Sequence, residues 1–390
     1  MVRRLPRPLA VSSSLLLGLL VGLLLVSCKK QPGASVSGNE IPVGEFASLT
    51  GSTATFGQSS HEGLMLAVEQ INAAGGVLGG KTIRIIYEDD RSEQAEATTA
   101  VQKLISRDRV VAVIGEVASS RSLAGATVCQ QYKIPMLSPA STNPAVTRVG
   151  DYIFRICFTD DFQGTVGAQF ANKQGWKRVA VFTDVANDYS KGLAAAFRAE
   201  YSRGAGTIVA EESYRAEDND FKAQLTTIKS ANPDAVYLPG YYGDVVKILV
   251  QARQLGITVP FFGGDGWDSE ETLKLGAAAN GCFFTTHYHP DDPRPEVQKF
   301  IADYKARYNG KVPDAMAILG YDAGRVIADA INRAGRPEPA AIRDALAQTN
   351  NFPGASGVIT IDENRNARKP IVILELQNGT TRLKDSIAPQ

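Results

Sequence analysis

Two loops rich in hydroxyl groups carry the residue types best suited to bind a small anion. The first follows the apolar run Val113-Ile114 and contains Ser119 and Ser120, which occupy N-cap positions of a helical run reaching Gln131. Hydroxyls and free N–H groups at a helix N-terminus attract negative charge. The pattern therefore predicts an anion receptor at this loop, with ordinary helix capping as the alternative.

The second loop, Ser138-Pro139-Ala140-Ser141-Thr142-Asn143-Pro144, follows another short apolar strand at residues 134–137. Asn143 can cap a helix whose first residue is Pro144. If the two strands are parallel neighbours, both loops reach the same edge of one sheet. We therefore predict that the hydroxyls of both loops and the two helix N-termini form one anion receptor at this edge.

A different set of side chains follows the later strands of the chain. Tyr189 comes after a strand ending at Thr183, Tyr241 after one ending at Leu238, and Asp265 and Trp267 after one ending at Gly263. Ligands of doubly wound sheets bind at the carboxyl ends of strands. An anion receptor facing one acid across an apolar gap suits a zwitterion with an apolar side chain, which is an amino acid. Half-buried aromatic residues and a turn aspartate are the alternative interpretation.

The elements that must position these residues alternate between strand and helix. The alternation runs from Ile41 to Phe158 and restarts at Arg178, continuing to Gly263. It predicts an α/β fold of two doubly wound lobes, each with a parallel central sheet and helices on both faces. The last third is too small for a third core, so we expect it to complete both lobes through a multi-strand hinge.

The predicted domain bounds follow from this organisation. Residues 41–158 with 288–360 form lobe 1, and residues 159–287 with 361–390 form lobe 2. Residues 1–27 are predicted to be an export signal, because arginines precede a short apolar run. Leu25-Val26-Ser27-Cys28 resembles the lipobox of bacterial lipoproteins, which implies lipidation of Cys28 and a membrane tether. Residues 28–40 would then be a flexible linker.

Several classes of function are disfavoured by composition and motif context. Lys plus Arg and Asp plus Glu both number 41, which gives no basic surface for nucleic acid. Residues 75–82 match a phosphate-loop pattern, but a helix precedes them and a strand follows, the reverse of the required order. No paired base and nucleophile is visible, so we predict no enzyme activity and no cofactor.

Metal binding and disulfides are also weakly indicated. His287 and His289 lie close to Asp291 and Asp292, a set that could chelate a divalent ion. Without a further ligand at suitable spacing, we interpret this stretch as a polar hinge segment and predict no metal site. Three cysteines remain besides Cys28, and their pairing cannot be read from the sequence.

From Ile41 to about Leu376 the chain resembles the leucine/isoleucine/valine-binding proteins of ABC importers, which are type I periplasmic binding proteins. Short matches in conserved order carry the resemblance, namely Ser48-Leu49-Thr50-Gly51, Asn72-Ala73-Ala74-Gly75-Gly76-Val77, Tyr87-Glu88-Asp89-Asp90, the second serine loop and Gly263-Gly264-Asp265-Gly266. No single match is specific, but their order and spacing together are.

The resemblance implies roles for individual residues. The ligand carboxylate would meet Ser119, the Ala140 backbone, Ser141 and Thr142. The ammonium group would meet Asp265 and Thr142. The pocket wall would comprise four aromatic residues: Phe56, Tyr189, Tyr241 and Trp267. A family disulfide in the first lobe has no counterpart here.

The implied function is extracytoplasmic capture of an amino acid, most plausibly a branched-chain or aliphatic one, by closure of two lobes. The implied partner is an ABC permease, and the protein is expected to be a lipid-anchored monomer. Two alternatives stay open: a sensory receptor of the same fold, and a binder of aromatic acids, amides or other small molecules. Asp265 argues against the second alternative, because a ligand without an ammonium group would leave the Asp265 carboxylate unpaired.

Overall fold

The computed structural model describes residues 38–216 and 218–388. The predicted export signal, Cys28 and most of the predicted linker lie outside the described residues. Within them the chain forms two α/β lobes, each built around its own sheet. The predicted fold class is confirmed, since parallel strands dominate both sheets.

Lobe 1 begins with the regular alternation that the sequence predicted. Its elements are β1 (Glu40–Ala47), α1 (Ala54–Ala73), β2 (Thr82–Asp89), α2 (Gln94–Ser106), β3 (Val113–Ile114), α3 (Ser119–Tyr132), β4 (Met136–Ser138), α4 (Ala145–Arg148) and β5 (Ile153–Arg155).

Lobe 2 follows with a second α/β series. Its elements are α5 (Asp160–Lys173), β6 (Arg178–Asp184), α6 (Asp188–Tyr201), β7 (Thr207–Tyr214), α7 (Lys222–Ser230), β8 (Ala235–Tyr237), α8 (Tyr242–Gln254), β9 (Phe261–Gly263), α9 (Glu270–Leu273) and β10 (Cys282–Thr286). A 3-10 turn at Asp265–Trp267 follows β9.

The C-terminal third supplies elements to both lobes. These are α10 (Pro295–Arg307), α11 (Ala315–Ala334), α12 (Pro339–Ala347), β11 (Phe352–Gly354), β12 (Gly357–Ile359), β13 (Ile371–Gln377) and β14 (Thr380–Ile387). The three helices pack into the core of lobe 1, whereas β13 and β14 extend the sheet of lobe 2. Over the described residues the chain therefore passes between the lobes three times, after β5, after β10 and before β13.

Strand order explains where each sheet can receive a ligand. The order in lobe 1 is β2-β1-β3-β4-β5, and in lobe 2 it is β14-β13-β10-β9-β8-β6-β7. The direction of winding reverses between β1 and β3 and again between β6 and β8. Ligand crevices of doubly wound sheets lie at the carboxyl ends of strands at such switch points. The serine loop after β3 and the tyrosines after β6 and β8 lie at these two edges.

Two predicted details of helix ends are corrected. Ser119 is the first residue of α3 rather than its cap, and Ala118 at the N-cap makes no side-chain cap hydrogen bond. The helix after Pro144 is a single turn from Ala145, and its N-cap is Pro144 rather than Asn143. The Asn143 side chain, one residue earlier, accepts from the Ala145 N–H at 2.9 Å.

Helix α5 was not among the predicted elements, and Gly164 supplies the physical reason. Glycine lowers helix propensity, which weakens the sequence pattern. In the structure a Cβ at Gly164 would lie 2.5 Å from the Ala196 Cβ of α6 and 2.7 Å from the Phe197 nitrogen. The glycine therefore permits close packing of α5 on α6, which is a tertiary requirement that the local sequence does not reveal.

Candidate functional site

A buried carboxylate shapes the first serine loop from below. Glu116 accepts hydrogen bonds from the Ser48 N–H at 3.1 Å and the Ser48 hydroxyl at 2.8 Å, and also from the Ala118 N–H. The guanidinium Nε of Arg121 lies 3.3 Å from it. These contacts fix the backbone just before α3. Consequently the Ser119 N–H at the helix start has a defined direction, toward the cleft between the lobes.

The second loop is held by a buried arginine. Arg155 donates to the Ser141 carbonyl oxygen and, at 2.7 Å, to that of Asn143. The Asn143 N–H in turn donates to the Ser119 hydroxyl at 3.2 Å, which joins the two loops. Because this bond uses an acceptor lone pair of Ser119, the hydroxyl hydrogen remains available for a ligand.

Lobe 2 opposes these loops with a stacked pair of tyrosines. The rings of Tyr189 and Tyr241 lie 4.9 Å apart and nearly parallel, at 7°. The Tyr189 hydroxyl accepts from the Gly266 N–H at 3.1 Å, and a Cβ at Gly264 would overlap that hydroxyl. The Tyr241 hydroxyl reaches across the cleft and accepts from the Ser119 N–H at 3.3 Å. An oxygen of lobe 2 therefore already uses the donor predicted for a ligand carboxylate.

Asp265 is a buried acid with one oxygen left free. Its backbone N–H donates to the Gln163 side-chain oxygen at 2.8 Å, which fixes the start of the 3-10 turn. Its carboxylate oxygen Oδ2 lies 3.2 Å from His287 Nε2. The other oxygen, Oδ1, has no hydrogen-bond partner among the described residues although it is buried. Burying a carboxylate oxygen without a hydrogen-bond partner costs free energy. A positively charged hydrogen-bond donor would therefore bind favourably at Oδ1.

These groups surround one small cavity between the lobes. It is lined from lobe 1 by Phe56, Val117, Ala140, Thr142 and Met316, and from lobe 2 by Tyr189, Tyr241, Asp265 and Gly266. Most of this lining is apolar, and its polar side chains are those of Thr142, Asp265 and the two tyrosines. The cavity therefore combines an apolar wall with a few polar contacts.

The lobes touch through a few hydrogen bonds, so the structure is a closed form. Asp188 of lobe 2 accepts from the Asn143 side chain at 2.7 Å and exchanges hydrogen bonds with the Ser120 hydroxyl at 2.9 and 3.1 Å. On the other side of the cleft, the Thr55 hydroxyl lies 3.0 Å from that of Ser269. These hydrogen bonds hold the two walls of the cleft together in this form.

Comparisons with known proteins agree with this geometry. A family model described as "Periplasmic binding protein" matches residues 40–381. The "Leu/Ile/Val-binding protein BraC3" of Rhizobium johnstonii is 33% identical over 329 residues, covering 83% of this chain and 88% of the relative. The chain belongs to the periplasmic binding protein family.

Solved structures of periplasmic binding proteins support the assignment. A leucine-binding protein LivK from Thermotoga maritima has a TM-score of 0.86 and 42% identity, covering 90% of this chain and 99% of that one. The branched-chain amino acid transporter substrate-binding protein LivJ from Streptococcus pneumoniae, solved with isoleucine, has a TM-score of 0.85 and 34% identity, covering 90% and 100%. The resemblance predicted from the sequence is confirmed.

Most of the predicted site residues meet at the cavity of this binding protein. Phe56, Ala140, Thr142, Tyr189, Tyr241 and Asp265 line it. Ser119 lies at its edge, in contact with the Tyr241 hydroxyl.

Two predicted site residues do not reach the cavity. The Ser141 hydroxyl bonds with the Ser122 hydroxyl at 2.6 Å and the Glu116 carbonyl oxygen at 2.8 Å, so it braces the loops from behind. Trp267 is fully buried in the core of lobe 2, where its indole N–H donates to the Leu238 carbonyl oxygen at 3.0 Å. The sequence pattern placed both residues near the site but gave no direction for their side chains.

Four residues at or near the cavity were missed. Val117, Gly266 and Met316 line it. Met316 is far away in sequence, and it arrives because glycines such as Gly63 let α1 and α11 touch backbone to backbone. Asp160 at the start of α5 is fully buried beside Thr142, whose carbonyl oxygen accepts from the Asp160 N–H at 2.9 Å. The local sequence around Met316 does not indicate a site residue. Asp160 could have been identified, because it follows the strand-like run ending at Phe158.

Burial dominates the electrostatics of this region. It raises the pKa of Asp160 well above its ordinary value, the Thr142 hydroxyl opposes this shift, and the charge of Asp265 adds to it. Burial also raises the pKa of Tyr241, and Arg121 opposes that shift. Both tyrosine hydroxyls at the cavity are therefore neutral at physiological pH and act as hydrogen-bonding groups.

Among the described residues, no cluster of three or more potential ligands could hold a metal ion. Cys129, Cys157 and Cys282 are buried free thiols. No helix in this part of the chain is long and apolar enough to cross a membrane.

Proposed function

We propose that the protein binds one branched-chain aliphatic amino acid outside the cytoplasm and delivers it to an ABC importer. The observation that carries the proposal is the free Oδ1 of Asp265, a buried carboxylate oxygen beside an otherwise apolar cavity. An α-ammonium group would supply both the missing hydrogen bond and the compensating charge. The Thr142 hydroxyl is the second polar contact for this end of the ligand.

The ligand carboxylate is assigned to the N-terminus of α3 and the second loop. Its contacts would be the N–H and hydroxyl of Ser119, the backbone of Ala140 and the hydroxyl of Thr142. The Ser119 N–H has the Tyr241 hydroxyl as its acceptor in this structure. A carboxylate accepts more strongly than a neutral hydroxyl and benefits from the helix dipole, so it would compete well for this donor.

The apolar part of the cavity sets the ligand class. Phe56, Val117 and Met316 present only carbon and sulfur atoms, and the ring of Phe56 packs edge-on against Tyr241 with 5.6 Å between centroids. A polar side chain would lose its hydration there without a partner. Names of relatives that bind leucine, isoleucine or valine support the same class.

Capture would proceed by closure of two lobes, residues 41–158 with 288–360 and residues 159–287 with 361–390. A ligand that contacts both walls favours the closed state by its differential affinity for it. The closed protein would then dock on the permease as a monomer, tethered outside the cytoplasm by lipid on Cys28. Catalysis on the amino acid is not part of this proposal.

Calorimetric titration of residues 28–390, with Cys28→Ser to prevent lipidation, tests the ligand class. Leucine, isoleucine or valine should bind with micromolar or tighter affinity, which corresponds to about 8 kcal/mol or more. Glutamate should bind at least about 100-fold more weakly, because its second carboxylate would be buried without a partner. Tighter binding of benzoate than of every aliphatic amino acid would contradict the proposal and favour the aromatic-acid alternative.

A further inference from the structure

The side chain of Asp265 has a single hydrogen-bond partner among the described residues, and that partner is His287. The contact joins Oδ2 of the acid to Nε2 of the imidazole at 3.2 Å. No lysine or arginine in the described part of the chain lies within ion-pair distance of Asp265. Asp265, the proposed site for the ligand ammonium, is therefore oriented by an imidazole, which can be neutral, and not by a lysine or arginine.

The imidazole is held firmly in place. Its ring stacks on Phe158 with 3.9 Å between centroids and 12° between planes, and its side chain is fully buried. Both residues belong to segments that cross between the lobes. The second ring nitrogen, Nδ1, has no hydrogen-bond partner among the described residues. In a neutral imidazole with its proton on Nε2, that N–H donates to the carboxylate and Nδ1 is a bare acceptor; protonation of Nδ1 would instead bury an N–H without an acceptor.

Burial is the main reason why His287 favours this neutral form. Burial lowers the pKa of His287 below its ordinary value of 6.5, Asp265 opposes the shift, and Lys369 adds to it. Cys157 and Asp160, on the first crossing segment, interact electrostatically with Asp265. Phe158 carries no charge. At pH 7 the imidazole is therefore neutral, and it becomes charged only on acidification.

We propose that His287 is a positioning residue, which aims the Asp265 carboxylate at the ligand ammonium as a neutral donor and weakens amino-acid binding once it becomes protonated. The inference rests on the proposed function, since it takes Asp265 as the ammonium site. A lysine or arginine at this position would neutralise the carboxylate and compete with the ligand. A neutral donor orients the acid and leaves its full charge for the guest.

The direction of the pH effect follows from competition for Asp265. An imidazolium forms a buried ion pair with the acid, and the ammonium group would then enter beside another cation. Ligand binding and protonation of His287 therefore oppose each other. Affinity is fully present above the pKa of His287 and is lost as pH falls through it, by up to about tenfold per pH unit. Lys369, whose pKa burial lowers to about 8, stays largely charged below pH 7 and does not contribute to this loss.

The test measures leucine affinity from pH 7 to pH 5 in residues 28–390 with Cys28→Ser. His287→Gln keeps a neutral amide donor for Asp265 and has no imidazole to protonate. The parent should lose affinity as the pH falls through the pKa of His287, whereas His287→Gln should lose markedly less over the same range. His289→Gln is the matched control and should follow the parent, because His289 contacts Thr381 and Asp291 rather than the cavity.

Five other acids in the described part of the chain have raised pKa values and are present in all these variants, namely Asp90, Asp160, Asp184, Asp268 and Asp314. The difference between the parent and His287→Gln therefore isolates the imidazole. An equal loss of affinity on acidification in both proteins would overturn the inference. Asp265→Asn keeps the two proposals apart: leucine binding equal to the parent would defeat the ammonium assignment itself, whereas its loss leaves that assignment intact.

A second measurement does not depend on how His287→Gln folds. Nitrogen-15 NMR of the imidazole in the parent should show the neutral form protonated at Nε2 at pH 7. Leucine should shift its titration to lower pH. An imidazolium at pH 7, or a proton on Nδ1, would overturn the positioning role.

Discussion

The two walls of the cavity hold their polar groups in different ways. On lobe 1, the serine loops are braced from behind by buried ionic groups, with Glu116 under the first loop and Arg155 under the second. On lobe 2, the polar contact is one carboxylate with one partner and one free oxygen. The wall that receives an anion must hold many backbone donors at fixed angles, whereas the wall that receives a cation needs only one exposed charge.

This difference predicts that substitutions in the two walls have different effects on stability and ligand affinity. Damage to the bracing of lobe 1 should lower both stability and affinity, because the donors lose their geometry when the loops relax. Damage to Asp265 should lower affinity and leave the fold intact. The predictions below separate these two kinds of failure.

Arg155→Met should have the largest combined effect. It removes a guanidinium donor from two buried carbonyl oxygens, and a hydrogen bond to a charged group contributes about 1.5–3 kcal/mol. We expect a stability loss of about 2–4 kcal/mol by urea denaturation and an affinity for leucine lowered by about tenfold or more. Arg148→Met is the control, since Arg148 is exposed and should change neither quantity measurably. Full stability and affinity in Arg155→Met would show that the second loop needs no brace.

Asp90 should make the stability of lobe 1 depend on pH. Burial, joined by the charge of Glu116 and opposed by Arg121, raises the pKa of Asp90 to about 7. The native acid then binds a proton that the unfolded one, with a value near 3.8, releases. The Asp90 contribution is therefore largest below pH 4 and falls as pH rises toward 7.

Asp90→Asn should remove this dependence. We expect the difference in unfolding free energy between variant and parent to shift in favour of the variant by roughly 1–3 kcal/mol from pH 5 to pH 8, measured by denaturant titration. Leucine affinity at pH 7 should change little, since Asp90 does not line the cavity. A difference that is constant with pH would show that Asp90 is ionised throughout.

The fold was largely predictable because strand and helix alternation is a local signal. The exceptions depend on tertiary structure or on weak patterns. Helix α5 contains Gly164, which packing against α6 requires. Strand β14 is largely exposed and polar, so its apolar pattern is faint. The Asn378-Gly379 pair, with both residues at positive φ, was a hairpin signal that could have identified it.

The candidate site was predictable where strand ends carry it and unpredictable elsewhere. Thr142, Tyr241 and Asp265 follow strands directly, so topology alone brings them to the cleft. Met316 comes from a distant helix, and only the contact between α1 and α11 places it there. Trp267 shows the opposite case: it directly follows the site in sequence, but its side chain turns into the core.

The central claim is that Asp265 pairs with a ligand ammonium group, and a cycle of two ligands and two proteins tests it most directly. Calorimetry would compare leucine with 4-methylpentanoate, its analogue without the amino group, in the parent and in Asp265→Asn. Asp161→Asn, which removes an exposed acid, is the control and should behave as the parent.

In the parent, leucine should bind at least about 100-fold more tightly than the analogue, because leaving a buried charge unpaired costs about 3–5 kcal/mol. In Asp265→Asn this ratio should fall below about tenfold, and the analogue itself should bind more tightly than in the parent. An equal preference for leucine in both proteins would contradict the account.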